Sequence, residues 1–195
     1  MPKLVGVRER RHQPYWDTLC RVADTNAPSP TVASSTRLFA TGTNLGLTNW
    51  TNMTVSGQFP SDNTYIVLAV RAWLHFVGTN ALAMYVRTQV QLYLTLNVGD
   101  KPQFQAPAWY FPAGGGIWGW DSVTPIANNG VPQTESILKL AKPVPIPARQ
   151  HFYVSADFYD IGSDSVRTNY INSSSSVDVR EIKVFLDGIH TRDVL

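Results

Sequence analysis

Apolar and polar residues alternate with a period of two along most of this chain, the pattern of strands with one face buried. Thr64 to Phe76 is the longest such run. Ile66, Leu68, Val70, Ala72, Leu74 and Phe76 share one face; Tyr65, Val67, Ala69 and Trp73 dominate the other, with Arg71 and His75 the exceptions. Both faces are largely apolar. One predicts core; the other, marked by Tyr65, Val67 and Trp73, predicts a cover from a terminal arm, a loop or another subunit. Asn52 to Phe59 alternates as well, with Met53, Val55, Gly57 and Phe59 on one side. So do the runs centred on Leu92-Leu94-Leu96, Phe152-Val154-Ala156-Phe158 and Ile182-Val184-Leu186. Shorter strands are expected at 36–41, 104–111 and 136–141.

Turn chemistry separates these runs. Residues 42–46, 60–63 and 99–100 read as turns, and Asp187-Gly188 as a hairpin returning along 189–195. Pro143, Pro145 and Pro147 predict an extended, polyproline-like approach. Residues 162–176 read as a polar loop, and Gly114-Gly115-Gly116 as a flexible loop with an aromatic tip. Only 78–88 suits a helix, with Asn80 placed to cap it. The sum is about eight strands without an internal repeat. The expected fold is all-β: a single eight-stranded jelly-roll sandwich with one short helix and an extended N-terminal arm. The expected division is an arm and proline-punctuated linker over 1–35 and a jelly-roll domain over 36–195.

Composition sharpens this picture. Charged residues form 15% of the chain and hydrophobic residues 44%, against about 25% charged in typical globular domains. A surface so poor in charge favours association. The net charge of +2 is too small for wholesale nucleic-acid binding, but Arg8, Arg10 and Arg11 make the arm basic. Tyr15 and Trp16 give it apolar anchors for docking. The single cysteine, Cys20, excludes an intrachain disulfide. No apolar run reaches the roughly 20 residues of a spanning helix, and no signal-peptide core follows the basic start. Synthesis and retention in a cytoplasm until assembly are expected.

Motifs for chemistry are sparse. His12, His75, His151 and His190 are isolated rather than clustered as metal ligands. Neither a phosphate loop nor a Gly-x-Ser-x-Gly elbow occurs. Asp157 and Asp160 are a conceivable glycosidase pair, but an offset of three in a strand puts them on opposite faces. Asp164 and Asp178 read as solvated loop carboxylates. The sequons at Asn49, Asn52 and Asn172 carry little weight without a secretory signal. No catalytic residue, metal ligand or cofactor is expected. The most suggestive cluster is Trp109, Tyr110, Phe111, Trp118 and Trp120, an aromatic set suited to a protein contact or to stacking on sugar rings.

Three stretches carry a resemblance: Phe59-Pro60-Ser61-Asp62-Asn63-Thr64-Tyr65 feeding Ile66 to Phe76; Ile146-Pro147-Ala148-Arg149-Gln150-His151-Phe152; and Val184-Phe185-Leu186-Asp187-Gly188. With the basic arm and linker, the chain resembles single jelly-roll capsid proteins of icosahedral viruses, most of all those of tailless, lipid-containing bacteriophages. The resemblance implies a non-enzymatic virion protein, made in a host cytoplasm, that assembles with copies of itself and with other capsid or vertex proteins. It also implies that the basic arm reaches a neighbour, nucleic acid or a viral membrane. The alternative is a glycan-binding module or receptor-binding spike built on the 109–120 aromatics.

Overall fold

The computed structural model describes residues 7–22, 34–40, 50–60, 63–78, 80–120, 125–159 and 179–194. The expected linker and the 162–176 loop lie outside them. Among the described residues are eleven strands and one α-helix: β1 (Val7–His12), β2 (Tyr15–Val22), β3 (Ser35–Leu38), β4 (Asn63–Val77), α1 (Ala81–Gln91), β5 (Leu92–Val98), β6 (Lys101–Pro107), β7 (Trp118–Trp120), β8 (Ile126–Asn128), β9 (Lys139–Ile146), β10 (Phe152–Phe158) and β11 (Val179–Val194). They form two antiparallel sheets, one of seven strands and one of four. In the larger, β11 lies beside β4, with β1 and β2 along its far edge and β9, β8 and β7 on the other side of β4. The smaller runs β3-β10-β5-β6. The pairing is nested. β1 and β2 pair with β11, β3 with β10, β4 with β9 and β5 with β6.

The core lies between the sheets. The smaller sheet contributes Leu38, Leu92, Leu94, Leu96, Phe152, Val154, Ala156 and Phe158. The larger contributes Tyr65, Val67, Val70, Ala72, Leu74, Phe76, Ile182, Val184 and Leu186. The two-faced strand β4 is therefore resolved differently from the simple alternation. Tyr65 and Val67 are core residues, whereas Trp73 faces outward and is half-buried. The cause is a β-bulge. Asp187 pairs with Ala69 but Gly188 with Val67, so Leu68 is skipped and the inward set changes parity.

That bulge is one part of a crease across the whole sheet. Asp187-Gly188 is a ladder irregularity within a continuous β11, not the expected hairpin turn. On one side, β1 and β2 run end to end along β11, broken at Gln13-Pro14, where the Gln13 N–H donates to the Gly188 carbonyl at 3.1 Å. On the other side, β9 jumps from Val144 opposite Val67 to Lys139 opposite Ala69. Gly188 is required there because a Cβ would overlap the Ile66 carbonyl and meet Tyr65 Cζ at 2.8 Å. The Tyr65 hydroxyl closes the crease, its proton shared between the Gln13 and Leu186 carbonyls at 2.7 Å each.

Other expectations also shift. Residues 7–22 of the expected arm dock on the body itself, as an interrupted edge strand on β11. The chain at 52–59 alternates in burial at Met53, Gly57 and Phe59 yet makes no ladder; only Thr51 bridges to Asp17. Met53 and Phe59 plug the sandwich rather than extend a sheet. The proline-rich 139–146 segment is a strand, tolerated because proline lacks only a donor that an edge does not need. The helix runs three residues later than expected at each end, and Asn80 makes no side-chain cap.

Two substitutions test the crease. Gly188→Ala should cost at least about 1–3 kcal/mol, as overpacking of a tight core does. Tyr65→Phe should cost about 1–3 kcal/mol by orphaning buried carbonyls. Urea unfolding followed by tryptophan fluorescence measures both, and wild-type midpoints would contradict the assignment.

Candidate functional site: an apolar helix–loop face

Helix α1 is oriented against its own polarity. It buries Ala81, Met84 and Tyr85, but also Thr88 and Gln91. Leu82, Val86 and Val90, spaced by four and so on one side, are exposed by 58%, 46% and 48%. A solvated helix normally presents the reverse.

The 108–118 segment stands beside this face. Ala108–Tyr110 forms a 3-10 turn that leaves Trp109 and Tyr110 exposed, edge to face at 5.9 Å. The glycine run then presses against Asn129–Val131. The Gly115 N–H donates to the Val131 carbonyl at 3.0 Å, and a Cβ on Gly114 would overlap the Asn129 carbonyl. Close backbone approach explains Gly114, and a φ of +132° explains Gly116. Two groups from this region seal the part of β4 that neither β9 nor β8 reaches. The Ala72 N–H donates to the Phe111 carbonyl at 2.7 Å, and the Leu74 N–H to Asn129 Oδ1 at 2.6 Å.

Between helix and loop lies a groove of about 310 Å³. Val86 and Val90 form one wall, Trp109, Pro112 and Ile117 the other, with Tyr85 and Gln89 at its base. Gln89 Nε2 donates to the Tyr85 hydroxyl at 3.1 Å, while its buried Oε1 has no partner among the described residues. Burial pushes the Tyr85 phenol up from its ordinary range, so the hydroxyl stays protonated. The groove is thus apolar with one unmet acceptor.

The expected aromatic cluster is divided. Trp109, Tyr110 and Trp118 are exposed, and Trp109 lines the groove. Phe111 does not: it is 1% exposed and packs on Phe104 at 5.2 Å in the core. The Trp120 backbone lies in β7, and its side chain is outside the described residues. Leu82, Val86 and Val90 are the contributors that sequence reading missed. Their spacing of four was visible, but it signals an outward face only once the inward one is known.

The basic N-terminal residues are separated as well. Arg8 and Arg10 project to one side of β1, and Arg11 to the other. Arg8 pairs with Asp193 at 3.1 Å. Tyr15 points inward onto Phe59 and Tyr65, at 5.0 and 5.1 Å. Trp16 packs outward near Phe185. Asn52 is committed internally, accepting from the Trp16 N–H at 2.9 Å and donating to the Pro14 carbonyl at 2.8 Å. Asp17 is buried and accepts from the Phe39 N–H at 2.6 Å. On the outer face, Trp73 stacks on His75 at 5.3 Å, and burial holds His75 below the ordinary imidazole range.

Among the described residues no group of three His, Cys, Asp or Glu side chains converges as a metal site would, and no helix is long and apolar enough to cross a membrane. Asp157 accepts a hydrogen bond from Ser35; Asp160, Asp164 and Asp178 lie outside the described residues. The sequence matches no protein-family model and no curated protein.

The division of the aromatics is measurable. Phe111→Ala should cost about 3–5 kcal/mol, as for a large core side chain, whereas Val86→Lys should stay within about 0.5 kcal/mol of wild type. Thermal unfolding of dilute protein reads both; a large loss in Val86→Lys would mean that this face is internally packed.

Proposed function

We propose that this chain is a structural subunit, a jelly-roll building block of an icosahedral viral shell, with no enzymatic role. The observation that carries the reading is the exposed apolar face formed by Leu82, Val86 and Val90 with Trp109 and Ile117 across the groove. The partner is a second copy of the same chain, with companion capsid or vertex proteins at further edges. One surface offers both a groove and protruding aromatics, and a patch that carries knob and hole together can be self-complementary. Large aromatics around a desolvated pocket are also what dominates interface energetics.

The strand order supports the fold half of this reading. When interrupted strands are joined, the sheets run β2-β11-β4-β9 and β3-β10-β5-β6. First pairs with last, second with second-last, and so inward: the order produced when one long antiparallel hairpin is rolled into two sheets, as in a jelly roll. A chain with 15% charged residues suits repeated burial of its flanks. The basic β1 residues, and with them contact to nucleic acid or a membrane, belong to the same reading, now weakened by the Arg8–Asp193 pair.

A glycan-binding module is the second reading, and the exposure of Trp109 and Trp118 favours it. Sugar sites pair an aromatic platform with polar groups that take the hydroxyls. Here the groove walls are apolar, and Asn129 Oδ1 is already used by the Leu74 N–H.

Sedimentation velocity over a concentration series distinguishes the two. Self-association of the full chain, weakened about tenfold or more by Val86→Lys, supports assembly through this face. A strict monomer at high concentration, with glycan-array binding abolished by Trp118→Ala, overturns it in favour of the glycan module.

A further inference from the structure

The core-facing side of β11 changes character past the crease. Before it stand Ile182, Val184 and Leu186; beyond it stand His190 and Arg192. Facing these on the flanking strands are Arg11 and Glu9 of β1 and Tyr65 and Asn63 of β4. His190 is only 3% exposed, seated between the Tyr15 and Phe59 rings at 5.9 and 6.0 Å. Neither of its ring nitrogens has a hydrogen-bond partner among the described residues. An aliphatic side chain would fill that place without the penalty of two desolvated, unmet polar atoms.

The imidazole lines a cavity of about 270 Å³ beside the Met53–Phe59 plug, together with Arg11, Arg192, Gln58 and Asn63. The titratable groups around it are Glu9, Arg11, Arg192, Tyr15 and Tyr65. Glu9 accepts from Arg192 Nε at 2.6 Å and holds that guanidinium in place. Arg11 has no ion pair among the described residues, so the cavity carries an excess of positive charge. Burial first, then Arg11 and Arg192, keep His190 below the ordinary imidazole range, against the opposing pull of Glu9. The cavity therefore has an imidazole held toward its neutral form at its base and cations at its rim.

We infer that this cavity binds a small phosphate-bearing anion, with Arg11 and Arg192 as its charged donors, the Gln58 and Asn63 amides at the rim and the His190 ring beneath it. Donors arrive from β1, β11 and β4, from more directions than the two oxygens of a carboxylate can serve. A tetrahedral oxyanion can accept from all of them, and guanidinium groups suit it well. This site lies past the crease and uses none of the helix–loop residues; it shares only Arg11 with the basic β1 residues of the shell reading.

The test follows the His190 imidazole by NMR in the full chain, titrated with inorganic phosphate at constant ionic strength and, in parallel, with acetate. Phosphate should move the His190 signals saturably and raise the imidazole pKa, while acetate leaves both nearly unchanged. Arg11→Gln, a change at an exposed side chain, should weaken phosphate binding about tenfold or more with the other amide signals in place. A nucleoside monophosphate added in competition identifies the source: tighter binding than inorganic phosphate assigns a phosphomonoester, weaker binding the free ion, and either supports the site. His190 signals unmoved at about 10 mM phosphate, a range that reaches millimolar affinity, overturn the inference. So does an equal response to acetate or in Arg11→Gln.

Discussion

The bulge that skips Leu68 decides which half of β4 faces which way, and the rest of the molecule follows from it. Without the extra residue, Tyr65 and Val67 would share a face with Trp73, and the sheet would present aromatic surface on both sides. With it, the inward row passes from Val67 to Val70 and both ends of a fifteen-residue strand contribute to one core. The crease holds because each strand supplies its own device: a proline break between β1 and β2, a glycine in β11, a skipped residue in β4 and a jump in β9. The Tyr65 hydroxyl ties three of these strands through two carbonyls. A buried polar group so placed fixes register more than it adds stability.

Much of the sandwich was legible in the pattern of residues. Phe152–Phe158 alternates without fault, and its buried and half-buried positions do the same. The one helix was visible near its place. What eluded the pattern was whatever depends on a partner strand. Residues 7–22 look like a polar, basic tail because charged side chains dominate β1; pairing of Glu9 with Arg192 and Arg8 with Asp193 makes that composition compatible with an edge strand. Residues 52–59 mimic a strand because plugging a sandwich end also buries every second or fourth side chain. Asp187-Gly188 mimics a hairpin because glycine marks turns by letter, whereas Gly188 is required here by the close approach of the Ile66 carbonyl and not by a positive φ.

The candidate site was half legible for a related reason. Exposed Trp109, Tyr110 and Trp118 and buried Phe111 look alike as letters, and only the Phe111 carbonyl's bond to Ala72 and its ring contact with Phe104 draw Phe111 inward. The helix is the more instructive case. Thr88 and Gln91 face in while Leu82, Val86 and Val90 face out, so a rule that sends apolar residues to the core would rotate α1 wrongly. Its orientation is set instead by Met84 and Tyr85 filling the end of the sandwich, and by its direct continuation into β5 at Leu92.

Nested pairing has a temporal side. Arg8 and its partner Asp193 stand 185 positions apart, and the strands between them close in pairs of ever shorter span. Among the described pairs, β5 with β6, joined across Gly99-Asp100, and β7 with β8 are the ones that can form early from local sequence. A chain emerging from the ribosome therefore holds β1 and β2 unsatisfied until β11 has been made. Contacts of such long reach form slowly and leave sticky edges open meanwhile. Translation itself thereby acts as a clock, delaying the finished β1–β2/β11 edge until β11 is available to complete it.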